Sequence, residues 1–237
     1  MTGRPVVGIL LDYQASGSFS KRPHYALRQA YFDAVWRAGG LPVGLPYIAG
    51  AEADMLAAID GLIVPGGFYP FPQVYYGWDI AVADPPHPRH AAEVPLVQAA
   101  IERDLPILGI CAGMQVIAVL SGATLYRDVM KEFGTLIDHL NEKPAEEYAH
   151  AVAITPGTLL HRIVDRDSMM VNTAHREAPK TVPGHLVVSA RAPDGVIEGI
   201  ERPDRKFCLG VQWHPEFFLA EGDPNLALFQ ALVAAAR

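Results

Sequence analysis

The chain has 237 residues, half of them hydrophobic, 19% charged, and a formal net charge of −7. That is ample for a sizeable core, with a single domain over 1–237 as the expectation, and it excludes a disordered chain or a general phosphate-backbone binder. No stretch approaches the ~20 consecutive apolar residues that span a bilayer, and the apolar run 6–11 is too short for a secretory leader, so a cytoplasmic protein without nucleic-acid or membrane partners is expected.

In chain order, the first half alternates short apolar runs with stretches of helical period: 6–10, 25–38, 41–45, 55–59, 62–64, 94–103 and 107–110. Such alternation predicts βαβ units around a parallel sheet. Over 25–38, Leu27, Ala30, Tyr31, Ala34, Val35 and Ala38 recur at helical spacing, with Pro23 read as first turn and Gly39-Gly40 as the stop. Between Gly66 and Pro88 the periodicity lapses into a long loop, of the kind that is functional or mobile. Beyond 149 the texture changes to alternating runs at 150–154, 186–190, 196–200 and 207–211, separated by turn pairs such as Pro156-Gly157 and Asp194-Gly195. These read as antiparallel or mixed strands. A helix over 225–235, started by Asp223-Pro224, closes the chain. The fold class is therefore α/β: a mostly parallel central sheet flanked by helices, with additional antiparallel strands in the C-terminal half.

Two cysteines, Cys111 and Cys208, make no disulfide framework, and each needs its own account. Cys208 lies in an apolar run and reads as core. Cys111 lies where a buried-strand pattern runs into a helix, with Gly109 and Gly113 two residues to either side. Small residues there relieve the crowding of a nucleophile elbow, in which the reactive residue is held on a strained turn. The elbow also points the sulfur from the carboxyl edge of the sheet at a helix N-terminus, whose partial positive charge favours thiolate.

A cysteine nucleophile needs a base, and the base an orienting partner. His214 and Glu216 lie two residues apart after an apolar run, so an extended chain presents both on one side. Pro215 disfavours helix at His214 and suits the frayed end of a strand.

These segments resemble the class I glutamine amidotransferase-like hydrolases, and within them the γ-glutamyl-γ-aminobutyrate hydrolases. The likeness rests on three ordered motifs, Pro65-Gly66-Gly67, the run from Gly109 through Cys111 and Gly113 to Gln115, and the run from Gly210 through His214 to Glu216. Weaker matches are 31–42, 171–175 and 194–201. The resemblance implies hydrolysis of a small γ-glutamyl amide through a thioester on Cys111, with His214 as proton relay and Glu216 orienting it. It implies no cofactor. Oxyanion donors are assigned to the backbone N–H groups of Gly67 and Ala112, with Gly66 as the alternative. Gln115 would hold the α-amino or α-carboxylate group of the substrate, with Asn172 and His175 on the pocket wall. A glutaminase subunit feeding ammonia to a separate synthase, a non-catalytic binding module and a homodimer all stay open.

Departures from the family pattern concern the substrate more than the reaction: Ala112 where arginine often follows the nucleophile, Tyr69 where aspartate commonly follows the glycines, and His90 after Arg89 in place of aspartate. Six aromatics fall within 68–78: Phe68, Tyr69, Phe71, Tyr75, Tyr76 and Trp78. Beside the Pro65-Gly66-Gly67 turn they form either a wall for a bulky or apolar leaving amine, with Tyr69 as substrate contact, or a hydrophobic cover or subunit contact. Asp84, His87 and His90 have spacing that tempts a metal assignment, but the prolines around them predict an extended loop, and no metal is expected.

Overall fold

In the computed structural model, residues 3–17, 19–69, 71–77 and 87–237 are described. The N-terminal half builds β1 (Val6–Leu10), β2 (Asp12–Gln14), β3 (His24–Ala26), α1 (Gln29–Arg37), β4 (Leu41–Leu45), α2 (Glu52–Ala57), β5 (Gly61–Val64), α3 (Pro88–Glu102), β6 (Ile107–Ile110) and α4 (Ala112–Leu120). There follow β7 (Thr124–Tyr126), α5 (Val129–Glu132), β8 (His150–Ile154), α6 (Leu159–Val164), β9 (Ser168–Val171), β10 (Ala178–Thr181), β11 (Val187–Arg191), β12 (Ile197–Glu201), β13 (Cys208–Val211) and α7 (Pro224–Ala235).

One nine-stranded sheet runs in the order β4-β1-β5-β6-β13-β12-β11-β8-β9. The pairings from β4 to β13 are parallel and those from β13 to β9 antiparallel. The change of texture near residue 150 thus marks where antiparallel strands are added to a parallel core. The parallel strands β5 and β6 are buried along their whole length, as strands covered by helices on both faces must be. Residues on the two faces sort into two cores: Leu62, Val64 and Ile107 pack with α3 and α4, while Ile63, Leu108 and Ile110 pack with α1 and α7. Among the described residues no helix is long and apolar enough to cross a membrane.

Helix boundaries differ from the sequence reading, most of all at α1 and α3, while α2 starts three residues before the run expected at 55–59. The helix expected over 25–38 begins only at Gln29, because residues 24–26 pair as β3 with β2. Pro23 therefore precedes a strand. The helix expected over 94–103 begins earlier, at Pro88, where proline costs no hydrogen bond and the His87 ring accepts from Arg89 N–H at 3.3 Å. It continues through Pro95, with Glu93, Leu96 and Val97 buried on either side, so packing overrides the local break. The strand β9 and the helix α6 had no periodic signal long enough to read.

The sheet's carboxyl edge is set by how closely β5 approaches α4. A Cβ at Gly113 would lie 1.9 Å from the Val64 carbonyl oxygen, and one at Gly109 2.7 Å from the Gly113 carbonyl oxygen. These are backbone contacts that no side-chain rotation relieves. Gly113→Ala is expected to destabilise the protein by more than about 3 kcal/mol, the range reserved for forced core rearrangements, measured by urea unfolding. A change under about 1 kcal/mol would contradict this packing.

Candidate active site

Three adjacent parallel strands end together: β5 in Pro65-Gly66-Gly67, β6 in Cys111, and β13 in the segment leading to His214. Binding crevices of open α/β sheets lie at this edge. Cys111 has φ 52° and ψ −109°, a conformation that L residues rarely adopt, and its N–H donates to the Val211 carbonyl at 2.8 Å. The expected elbow is present, with the thiol at the N-terminus of α4.

His214 follows Trp213, which is fully buried and donates its indole N–H to Asn225 Oδ1 at 2.8 Å, anchoring the segment to α7. From there His214 Nδ1 donates to Glu216 Oε1 at 2.8 Å. Both are almost wholly buried. The imidazole lies beside Cys111: a Cβ at Gly66 would stand 2.6 Å from His214 Cε1 and 3.3 Å from Cys111 Cβ, so only glycine fits between them. Burial works against protonation of His214, yet the charges of Glu216 and Cys111 and hydrogen bonds to both outweigh it and raise its pKa to about 10. The arrangement favours an imidazolium at His214. Tyr31 closes the floor, its hydroxyl accepting from Gly66 N–H at 3.0 Å, while burial and the Glu216 carboxylate push its phenol well above the ordinary value. It stays protonated.

The turn after β5 is gripped from behind by Arg89, a residue the sequence reading passed over. Its buried guanidinium donates to the carbonyl oxygens of Pro65 and, at 2.8 Å, Gly66, and pairs with Glu93 at 3.1 Å and Asp12 at 3.4 Å. All peptides of the described chain are trans, so a carbonyl of Gly66 held by Arg89 turns the Gly67 N–H away from it. Among the described residues neither that N–H nor the Ala112 N–H has a partner. A Cβ on Gly67 would meet Arg89 Nη1 at 2.2 Å. The arginine would have been legible only as a cation at i, i+4 from an acid on one helix face.

Several residues expected to touch substrate are instead engaged inside the fold. Tyr69 is buried, its hydroxyl donates to Glu93 Oε2, its ring stacks on His87, and the Arg89 guanidinium lies 4.8 Å from its centroid. Phe71 and Tyr75 pack edge-on against His90, at 6.0 and 5.3 Å between ring centroids. The segment is therefore a cover over the start of α3, and Phe68 is its one strongly exposed ring, at 70%, among the described residues. Trp78 and Asp84 lie outside the described residues. Asn172 spends its amide on backbone: Oδ1 accepts from His214 N–H at 2.8 Å, and Nδ2 donates to the carbonyls of Ala145 and His214. It positions the histidine. His175 is buried against Glu198, with Nδ1 donating to the Glu177 carbonyl, and is removed from the substrate wall. Gly66 N–H is taken by Tyr31, leaving Gly67 as the free donor. Gln115 donates from Nε2 to the Glu177 carbonyl at 2.9 Å and to Gln212 at 3.2 Å, so its Oε1 is the atom without a partner among the described residues. Cys208 is core as expected, and burial pushes its thiol up to about 12.

Residues 5–216 match the sequence pattern of the peptidase C26 family. The chain belongs to that family. Proteins of similar sequence include the γ-glutamyl-γ-aminobutyrate hydrolase of Escherichia coli (strain K12), 31% identical over 98% of this chain and 93% of that protein. A glutamine amidotransferase-like protein of Rickettsia prowazekii (strain Madrid E) is 32% identical over 100% and 99%. Among solved structures, the glutaminase domain of Trypanosoma brucei CTPS with bound acivicin superposes with a TM-score of 0.64 at 17% identity, covering 98% of this chain and 93% of that one. The last likeness is one of fold. Together these make the chain a class I glutamine amidotransferase-like amide hydrolase, as the three motifs suggested.

The raised pKa of His214 sets a sign. A histidine with folded pKa above its unfolded value contributes stability that is fully present below the unfolded value of 6.5 and lost as pH rises through about 10. Imidazole NMR titration is expected to find His214 protonated at neutral pH, and Glu216→Gln to move its transition down toward the ordinary value. A wild-type His214 titrating near 6.5 would contradict the arrangement.

Proposed function

We propose that this chain hydrolyses the amide bond of small γ-glutamyl amides, with Cys111 as nucleophile, His214 as proton relay and Glu216 as its orienting partner. The observation that carries this reading is Cys111 on a strained elbow beside a buried His214–Glu216 pair, facing a backbone N–H left free by the Arg89-held turn. Cys111 Sγ attacks the γ-carbonyl carbon, an S–C bond forms, and the oxygen becomes an oxyanion met by the N–H groups of Gly67 and Ala112. The C–N bond then breaks as the imidazolium of His214 gives its proton to the departing amine. Neutral His214 next takes a proton from water, which attacks the thioester. Glutamate leaves and the sulfur is restored as thiolate.

Donors aimed in advance at the oxyanion cost no reorganisation during the reaction. Arg89, by holding the Gly66 carbonyl, keeps the Gly67 N–H aimed. Removing an oxyanion donor typically costs about 10²–10³ in kcat, so Arg89→Met is expected to lower kcat by about that factor with KM little changed, in steady-state assays. Equal losses in kcat and stability, without the kcat-against-KM split, would leave Arg89 a structural residue only.

Gln115 Oε1 is suited to accept from the α-ammonium group of the γ-glutamyl part. Phe68, adjacent to Gly67 and exposed, is the ring best placed to meet the leaving amine. Amides of apolar or aromatic amines, or of polyamines, would then be preferred to glutamine, whose leaving group is ammonia. Amine release from such conjugates should exceed ammonia release from glutamine, Cys111→Ala should abolish both, and Phe68→Ala should raise KM several-fold for bulky amides alone. Faster turnover of glutamine would support a glutaminase instead, and no turnover of either class a binding module.

A further inference from the structure

Away from this edge, four buried side chains from four chain segments converge: His139 in the loop after α5, His150 at the start of β8, His175 between β9 and β10, and Glu198 on β12. The inward atoms of His139, His150 and Glu198 all lie within 4.8 Å of one another. Glu198 Oε1 is 3.3 Å from His139 Nδ1, 3.6 Å from His150 Nε2 and 3.3 Å from His175 Nε2. Ligands at the usual ~2.0–2.1 Å from a tetrahedral zinc ion stand about 3.4 Å apart, so the spacings of Glu198 from His139 and His150 fit two edges of such a tetrahedron.

The outer atoms decide what the inner ones carry. His139 Nε2 faces Asp194 Oδ2 at 2.9 Å, His150 Nδ1 the Ala151 carbonyl at 3.1 Å, and His175 Nδ1 the Glu177 carbonyl at 3.0 Å. Carbonyls and carboxylates only accept, so each outer nitrogen carries a proton. Asp194 is itself fixed by Thr135 and by the Val196 N–H at 3.1 Å. Neutral His139 and His150 rings then each present a bare nitrogen to the Glu198 carboxylate, to which His175 Nε2 is hydrogen-bonded. His139 Nδ1, His150 Nε2 and Glu198 Oε2 are buried without a hydrogen-bond partner among the described residues. Such a set of donors repels itself unless positive charge stands between them. Outward hydrogen bonds to carboxylate and carbonyl are also the supports that orient metal-bound histidines.

We propose that His139, His150 and Glu198 form a structural site for a divalent transition-metal ion, zinc by its preference for tetrahedral nitrogen and oxygen ligands, with the fourth position left to water and His175 bracing the Glu198 carboxylate. Two imidazoles exclude calcium and magnesium, which take oxygen ligands. The sequence reading weighed only the local cluster at residues 84–90 and expected no metal, whereas these ligands are spread from 139 to 198 with no short motif. The ion pins the loop 133–149 to β8 and β12. The loop's Ala145 carbonyl accepts from Asn172, which holds the His214 backbone, so the site supports the reacting histidine from a distance and takes no part in bond making.

Full-length protein stripped with chelator, loaded with zinc or cobalt(II) and gel-filtered tests this by elemental analysis. About one ion per chain is expected, with cobalt(II) giving the strong visible bands of tetrahedral coordination and no thiolate charge-transfer band. Cys111→Ala should keep the ion, which separates this site from metal captured by Cys111 and His214. His150→Gln should lose it, together with the chelator-sensitive part of the melting temperature. Retention below about a tenth of an ion per chain by the loaded wild type would overturn the site. So would loss of the ion in Cys111→Ala, or unchanged binding in His150→Gln.

Discussion

The whole arrangement depends on one backbone constraint: Cys111 is held at positive φ where β6 turns into α4. A non-glycine residue in such a conformation costs on the order of 1–3 kcal/mol and persists only when its surroundings over-determine it. Here they do so through backbone. Cys111 N–H is bonded to β13, its carbonyl accepts from Gln115 N–H, and Gly113 touches the end of β5 so closely that no other residue fits. The three strands that supply the site are therefore joined through the strained residue itself. Its sulfur, the turn after β5 and the histidine after β13 have one mutual placement.

Around that constraint, buried polar groups position what backbone pairing cannot reach. Arg89 holds the carbonyl side of the Pro65-Gly66-Gly67 turn, Tyr31 holds the Gly66 N–H, and Asn172 holds His214 by both its backbone groups. Leaving any such group unpaired costs more than a typical hydrogen bond contributes, which makes these contacts effective locks. The aromatic cover of Tyr69, Phe71 and Tyr75 serves the same end by excluding water from Arg89 and Glu93. A shared fold with a glutaminase domain at 17% identity is silent on substrate, so chemistry has to be argued from these particular contacts.

Much of the fold was legible because its signals are local. The apolar runs of β1, β4, β6 and β8 and the capped start of α7 follow from burial periodicity and turn chemistry over a few residues. The elbow at Cys111 and the His214–Glu216 pair were legible too, since glycine spacing and an i, i+2 pair carry geometry within the sequence. The readings that failed concerned direction. Asn172, His175 and Tyr69 belong to segments near the site, but whether a side chain faces substrate or backbone depends on which strand lies behind it.

By itself, then, the sequence determined an α/β chain with a cysteine on a strand-to-helix turn and a histidine–glutamate pair downstream, because each of these is written in neighbouring residues. Tertiary structure alone decided that Arg89 grips the turn after β5, that Gly67 rather than Gly66 keeps a free N–H, and that three histidines meet at Glu198. Those outcomes join residues up to 59 positions apart, counting 198 − 139 at the widest, and no local pattern constrains partners that only packing brings together.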